Sequence, residues 1–193
     1  MKTFLLVLLV LSTQSANAIY TELGLSYNYK KSFFDKNNNT EMQSGTFSLS
    51  FYLWDHIAIE TSYTNGLYVK KERQSGTDPN IFTRTTTQYS DIYGCDLIYV
   101  FADKKDKWQP FIKGGAAYIK KRQVVQDISD TTSNPSWEIK PEPGLAPSYG
   151  IGLKYFLTEA IALRANWDVL QTPIDDSAKI EDFTGRLGLS WMF

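Results

Sequence analysis

The chain has 193 residues, 15% of them aromatic, and a formal charge of -1. Its pI of about 5.9 excludes the basic surface that nucleic acid needs. One cysteine excludes an internal disulfide, and one histidine leaves no cluster for a transition metal.

The first element is an address label. Met1 and Lys2 make a short positive start, residues 4–11 are apolar, and the stretch closes on Ala16, Asn17 and Ala18. A small-x-small triplet after a short apolar core predicts a cleaved signal peptide over 1–18 and one mature barrel domain over 19–193. The apolar run is shorter than the roughly 20 residues that span a bilayer. Losing Lys2 takes the charge from -1 to -2.

Eight segments with a period of two follow. In the first, Ile19, Leu23, Leu25, Tyr27 and Tyr29 face one way, and Glu22, Gly24, Ser26 and Asn28 the other. The second sets Phe47, Leu49, Phe51 and Leu53 against Thr46, Ser48, Ser50 and Tyr52. The third sets Ile57, Ile59, Tyr63 and Leu67 against Ala58, Glu60, Ser62 and Thr64. The fourth sets Tyr93, Cys95, Leu97, Tyr99 and Phe101 against Gly94, Asp96 and Ile98. The fifth is the least regular, with Ile112, Gly114, Ala116 and Tyr118 against Lys113, Gly115 and Ala117. The sixth sets Tyr149, Ile151, Leu153 and Tyr155 against Gly150, Gly152 and Lys154. The seventh sets Ile161, Leu163, Ala165, Trp167 and Val169 against Ala162, Arg164, Asn166 and Asp168. The eighth sets Phe183, Leu187, Leu189, Trp191 and Phe193 against Thr184, Arg186, Gly188 and Ser190.

A soluble core holding that many charges would be very costly, so the apolar set faces lipid and the polar set fills the lumen. That inversion explains a mean hydropathy of only -0.30 in an aromatic-rich chain. The links at 54–56, 102–107 and 158–159 are short; those at 35–41, 70–84, 121–147 and 171–179 are long and polar. The expected fold class is all-β: an eight-stranded antiparallel transmembrane β-barrel with short periplasmic turns, long extracellular loops and both termini periplasmic. The 121–147 loop, with Pro135, Pro141, Pro143 and Pro147, is the largest and is expected to be mobile. Trp54, Tyr99, Phe101, Trp108, Trp191 and Phe193 fall at one interface; Tyr27, Tyr29, Tyr68, Tyr118 and Tyr149 fall at the other.

Residues 93–101, followed by Trp108, Gln109, Pro110, Phe111 and Ile112, form a strand, a short turn and a Pro-Phe strand start. With the last strand, 187–193, they carry a resemblance to the small outer-membrane β-barrel family, the group that includes the OmpA transmembrane domain and OmpX. The resemblance covers essentially the whole mature chain and implies an outer-membrane location. It also implies that Trp191 and the final Phe193 form a signal read by the barrel-assembly machinery. It leaves function open, because members include anchors, adhesins, small pores and lipid-modifying enzymes.

The interior charges are the main candidate site: Glu22, Glu60, Asp96 and Asp168 with Lys113, Lys154, Arg164 and Arg186. An eight-stranded lumen is just wide enough for side chains to fill, so these charges must pair. They predict either a salt-bridged plug or a gated polar path. The leading expectation is a non-enzymatic structural or surface-interaction barrel. A narrow pore, or a conduit for hydrophobic molecules, is the alternative. A lipid-modifying enzyme is disfavoured, because His56 lies in a periplasmic turn, away from the outer face where a deacylase would need it. Cys95 reads as an inert lipid-facing thiol. The clusters 70–73 and 120–122 place Lys70, Lys71, Arg73, Lys120, Lys121 and Arg122 at the outer rim, where they read either as solvated loop bases or as contacts to lipopolysaccharide phosphates, the expected partner with outer-membrane lipid. Asp127 and Asp130 could bind a divalent ion, but no ligand spacing supports it. No cofactor is expected.

Overall fold

A computed structural model describes residues 20–34, 38–74, 82–129, 135–175 and 178–193. Residues 1–18, expected to be a signal peptide, and also Ile19 and Asp130 lie outside the described residues. Among the described residues nine strands follow in chain order: β1 (Thr21–Phe33), β2 (Asn39–Trp54), β3 (Ile57–Gln74), β4 (Phe82–Val100), β5 (Trp108–Ser129), β6 (Ser136–Ile139), β7 (Gly144–Phe156), β8 (Ile161–Asp175) and β9 (Ala178–Met192). Every pairing is antiparallel. Eight of the strands close into a ring in the order β1-β2-β3-β4-β5-β7-β8-β9, with β9 returning to β1. The short β6 lies outside the ring, against the far end of β5.

The period-two pattern holds its sides. Leu25, Trp167 and Leu187 are 64%, 64% and 72% exposed, whereas Glu22 and Lys154 are 0% exposed. Chain connections alternate between a short-turn end and a long-strand end. At the short turns backbone groups are satisfied locally. The Phe101 N–H donates to the Pro110 carbonyl at 2.9 Å, and Gln109 Nε2 donates to the carbonyls of Asp103 and Lys104. In the 158–159 turn, Thr158 Oγ1 accepts from the Ile161 N–H at 3.0 Å.

Two expectations need correction. The long links are largely strand: β3 and β4 pair from Ile57↔Tyr99 out to Gln74↔Phe82, and β5 runs 22 residues. A tilted strand needs about 9–11 residues to cross hydrocarbon, so the outer half of β5 stands clear of it. Among the described residues of the 121–147 segment, 121–129 end β5, 136–139 form the β6 hairpin strand and 144–147 begin β7. The alternation fades there because both faces meet water, while cross-strand pairing and residues such as Thr83, Thr85, Thr86 and Thr87 keep the backbone extended. The second correction is Tyr68, which has the parity of Glu60 and Thr64 and so sits on the lumen side of β3, off the outward aromatic belt.

Ladder lengths differ around the ring. β4 and β5 share 19 residue pairs, whereas β1 and β9 share six, from Glu22↔Met192 to Tyr27↔Leu187. Both of these junctions contain a glycine at a point of close approach. A Cβ on Gly115 would lie 2.0 Å from the Cys95 carbonyl oxygen, and one on Gly188 would lie 2.0 Å from that of Leu25. Towards the short-turn end the lumen is apolar: Tyr52, Ala58, Ile98, Val100 and Phe111 pack together, and Tyr20 stacks on Tyr52 at 4.1 Å.

Candidate functional site: the lumen charge network

All eight predicted interior charges face the lumen and form one connected set. Lys154 on β7 reaches across the barrel to Glu22 on β1, and its ammonium also contacts the Tyr52 hydroxyl on β2. Tyr52 donates to Glu22 Oε2 at 2.7 Å. Arg164 on β8 lies 2.5 Å from Glu60 on β3 and 3.8 Å from Glu22, and its Nε donates to Asn166 at 3.0 Å. Lys113 on β5 sits among three carboxylates, Asp168 at 2.9 Å and Glu60 and Asp96 at 3.5 Å. Arg186 on β9 holds the other oxygen of Asp168 at 3.0 Å.

Four carboxylates therefore face four cations in a space shielded from water. Burial of this kind is tolerable only with good geometry and further hydrogen bonds. Those come from residues that charge-counting overlooks. Ser50 donates to Glu60 at 3.1 Å and Ser148 to Asp96 at 2.5 Å. Phe111 presents its ring to Arg164 at 4.9 Å and to Lys154 at 5.5 Å, so the apolar layer and the charged layer are joined by cation–π contacts. Parity alone could have found Phe111, which lies two residues before Lys113 on β5.

The remaining candidates scatter. His56 Nδ1 lies 3.0 Å from the Val100 carbonyl in a short turn. Cys95 is exposed on the outward face, paired with Thr61 and Ala116. Asp127 is no metal ligand in waiting: Arg84 clamps it through two hydrogen bonds of 2.8 Å and holds its carboxyl below the usual carboxylate range. Among the described residues no group of three or more His, Cys, Asp and Glu could hold a metal ion.

The basic clusters divide by strand parity. Lys121 turns inward to within 3.8 Å of Asp182 on β9, and Lys70 pairs with Glu72 at 2.7 Å. Lys120 and Arg122 turn outward. Lys120 lies 5.6 Å over Tyr118 and 5.7 Å over Tyr93, and Arg122 lies 4.6 Å over Tyr89. They cap the outer edge of the apolar belt with two cations held on aromatic faces.

A closed antiparallel ring of eight strands, apolar outside and charged within, defines a transmembrane β-barrel. The chain belongs to the family described as outer membrane protein beta-barrel domain, whose model matches residues 3–193. It is an outer-membrane protein of that family. Among solved structures it is similar to the N-terminal barrel domain of OprF from Pseudomonas aeruginosa, with 17% identity, a TM-score of 0.50, and coverage of 93% of this chain and 100% of that one. It is similar to OprG from the same organism, with 9% identity, a TM-score of 0.56, and coverage of 93% and 98%. It is also similar to a major outer membrane protein of Thermus thermophilus, with 12% identity, a TM-score of 0.55, and coverage of 90% and 99%. At such identities the likeness is one of fold. No curated protein sequence matches the chain.

Proposed function

We propose that this protein is a non-enzymatic structural and surface-interaction barrel whose lumen is closed by the charge network. The observation that carries this reading is Lys154, 0% exposed and bound to Glu22 and Tyr52 across the full width of the barrel above the Phe111 ring. Eight strands leave no room for a second path around such a layer. In this reading the short turns and both termini are periplasmic, and the 1–18 segment is a cleaved signal peptide. The outer lengths of β3, β4 and β5 form the wall that a partner meets. Lys120 and Arg122 meet lipopolysaccharide phosphates, and β9, with Trp191 and Phe193, is the strand engaged by the assembly machinery. The test is conductance in planar bilayers. A closed lumen gives no stepwise openings, and reproducible openings at moderate voltage overturn it.

A second reading, a narrow polar conduit, is favoured by one observation. Glu22 Oε1, Arg164 Nη2 and Arg186 Nε are buried without a hydrogen-bond partner among the described residues. Buried polar groups of this kind are commonly met by internal water. In a conduit, Arg164→Gln produces openings; in a closed lumen the same change only lowers stability.

A further inference from the structure

The outward face carries a cavity of about 660 Å³ whose walls are almost entirely apolar. Two cross-strand rows frame it. One row is Pro110, Leu153, Ala165 and Leu187; the next is Ile112, Ile151, Trp167 and Gly185. The groove between them crosses β5, β7, β8 and β9, about 14 Å at ordinary strand spacing. It is deep because Ala165 and Gly185 put little into it, while Trp167, Ile151 and Leu187 stand up at 64%, 61% and 72% exposure along its sides. A Cβ built on Gly185 meets nothing within 4 Å.

At the short-turn end the groove opens beside Phe101 and Pro110, which close the 102–107 turn through the Phe101 N–H to Pro110 carbonyl bond of 2.9 Å. That turn carries Lys104, Lys105 and Lys107 with Asp103 and Asp106. Lys104 lies 3.7 Å over the Tyr20 ring. Asp106 accepts the Asp103 N–H at 3.1 Å, and Asp103 lies 3.7 Å from His56. Lys105 and Lys107 are exposed and form no ion pair among the described residues. Lipid tails are as apolar as the groove, so holding one there needs close packing along its length and a second tie at the headgroup. The groove provides the first and the lysines the second.

We infer that this groove holds one acyl chain of an anionic phospholipid, with the headgroup phosphate at Lys105 and Lys107. The inference rests on the proposed orientation, with the short turns on the phospholipid side, and it holds with the lumen open or closed.

The test uses the full chain with Trp54, Trp108, Trp137 and Trp191 changed to Phe, so that Trp167 alone reports. It is reconstituted in phosphatidylcholine vesicles containing a small fraction of phosphatidylglycerol brominated on its chains. Trp167 should be quenched several-fold more than by the same fraction of brominated phosphatidylcholine. Gly185→Leu, which the open space admits, should abolish the excess, and Lys105→Gln with Lys107→Gln should remove most of it. Heat-modifiable migration on a gel confirms that each variant is folded. Equal quenching by both lipids, unmoved by these changes, would show ordinary annular contact and overturn the inference. So would cross-linking of Gly185→Cys, in a Cys95→Ser background, to a second copy, which would make the groove an interface between barrels.

Discussion

The two halves of the barrel wall line the lumen in opposite ways. Strands β1 to β4 contribute short groups, among them Ser44, Thr46, Ser48, Ser50 and Thr64, and three of the four acids, Glu22, Glu60 and Asp96. Strands β5 to β9 contribute all four long cations of the network, Lys113, Lys154, Arg164 and Arg186, with Asp168 as its remaining acid. Lys113, Lys154 and Arg164 reach across a lumen that the other half leaves open for them, while Arg186 holds Asp168 on the neighbouring strand. Their partners are remote in sequence, 132 residues apart for Lys154 and Glu22 and 104 for Arg164 and Glu60. Neither half is electrically satisfied alone, so the network stabilises only the closed ring.

The comparison breaks most sharply where one side of a buried pair is removed. Lys154→Met takes from buried Glu22 its nearest cation, leaving it the Tyr52 hydroxyl and Arg164 at 3.8 Å, and should cost about 3 kcal/mol, read as a fall in the urea midpoint of the vesicle-embedded protein. Adding Glu22→Met should recover most of that loss, because an apolar pair of similar volume is often neutral. A double variant as weak as the single would mean that the two halves are not coupled through this pair.

The next effect is at the junctions between halves. Gly115→Val or Gly188→Val pushes a side chain into neighbouring backbone at β4–β5 or β9–β1 and should cost about 1–3 kcal/mol, with a lower folded fraction on a heat-modifiable gel. Gly45→Ala, where a Cβ meets nothing within 4 Å, should change neither.

Smaller effects lie outside the lumen. Lys120→Gln with Arg122→Gln should leave the urea midpoint unchanged but weaken retention of lipopolysaccharide during purification, measured by phosphate content. The smallest belongs to Arg84 and Asp127, a partly exposed surface pair of the kind worth about 0–1 kcal/mol. Because the folded carboxyl is held below its usual range, the clamp is fully present above the ordinary carboxylate pKa and is lost as pH falls through the lowered value. Amide exchange at the far ends of β4 and β5 should accelerate on that acid limb, and Arg84→Gln should erase the pH dependence.

How much of this was legible follows from the same physics. Within the belt each strand separates lipid from lumen, so Leu23 and Glu22 announce their sides, and all eight lumen charges could be named from parity. Beyond the belt both faces are wet, and Thr85 or Gln123 carries no such mark; there the strands exist because neighbours pair, as in Arg84↔Asp127. Phe111 was hidden differently. It carries no charge to mark it, and only its parity with Lys113 puts it in the lumen, where two cations rest on its ring. The outer groove was not readable at all, since it depends on Ala165 and Gly185 meeting across β8 and β9 on adjacent rows.

The short β1–β9 ladder has a mechanical consequence. A cylinder under outward load splits along its weakest seam, and here six residue pairs stand where the opposite junction has 19. Pulled from either end of the chain, or pried by lateral tension in the bilayer, the wall should part along that line. β1 and β9 would then peel away as a pair of flaps while β3, β4 and β5 remain a rigid spine.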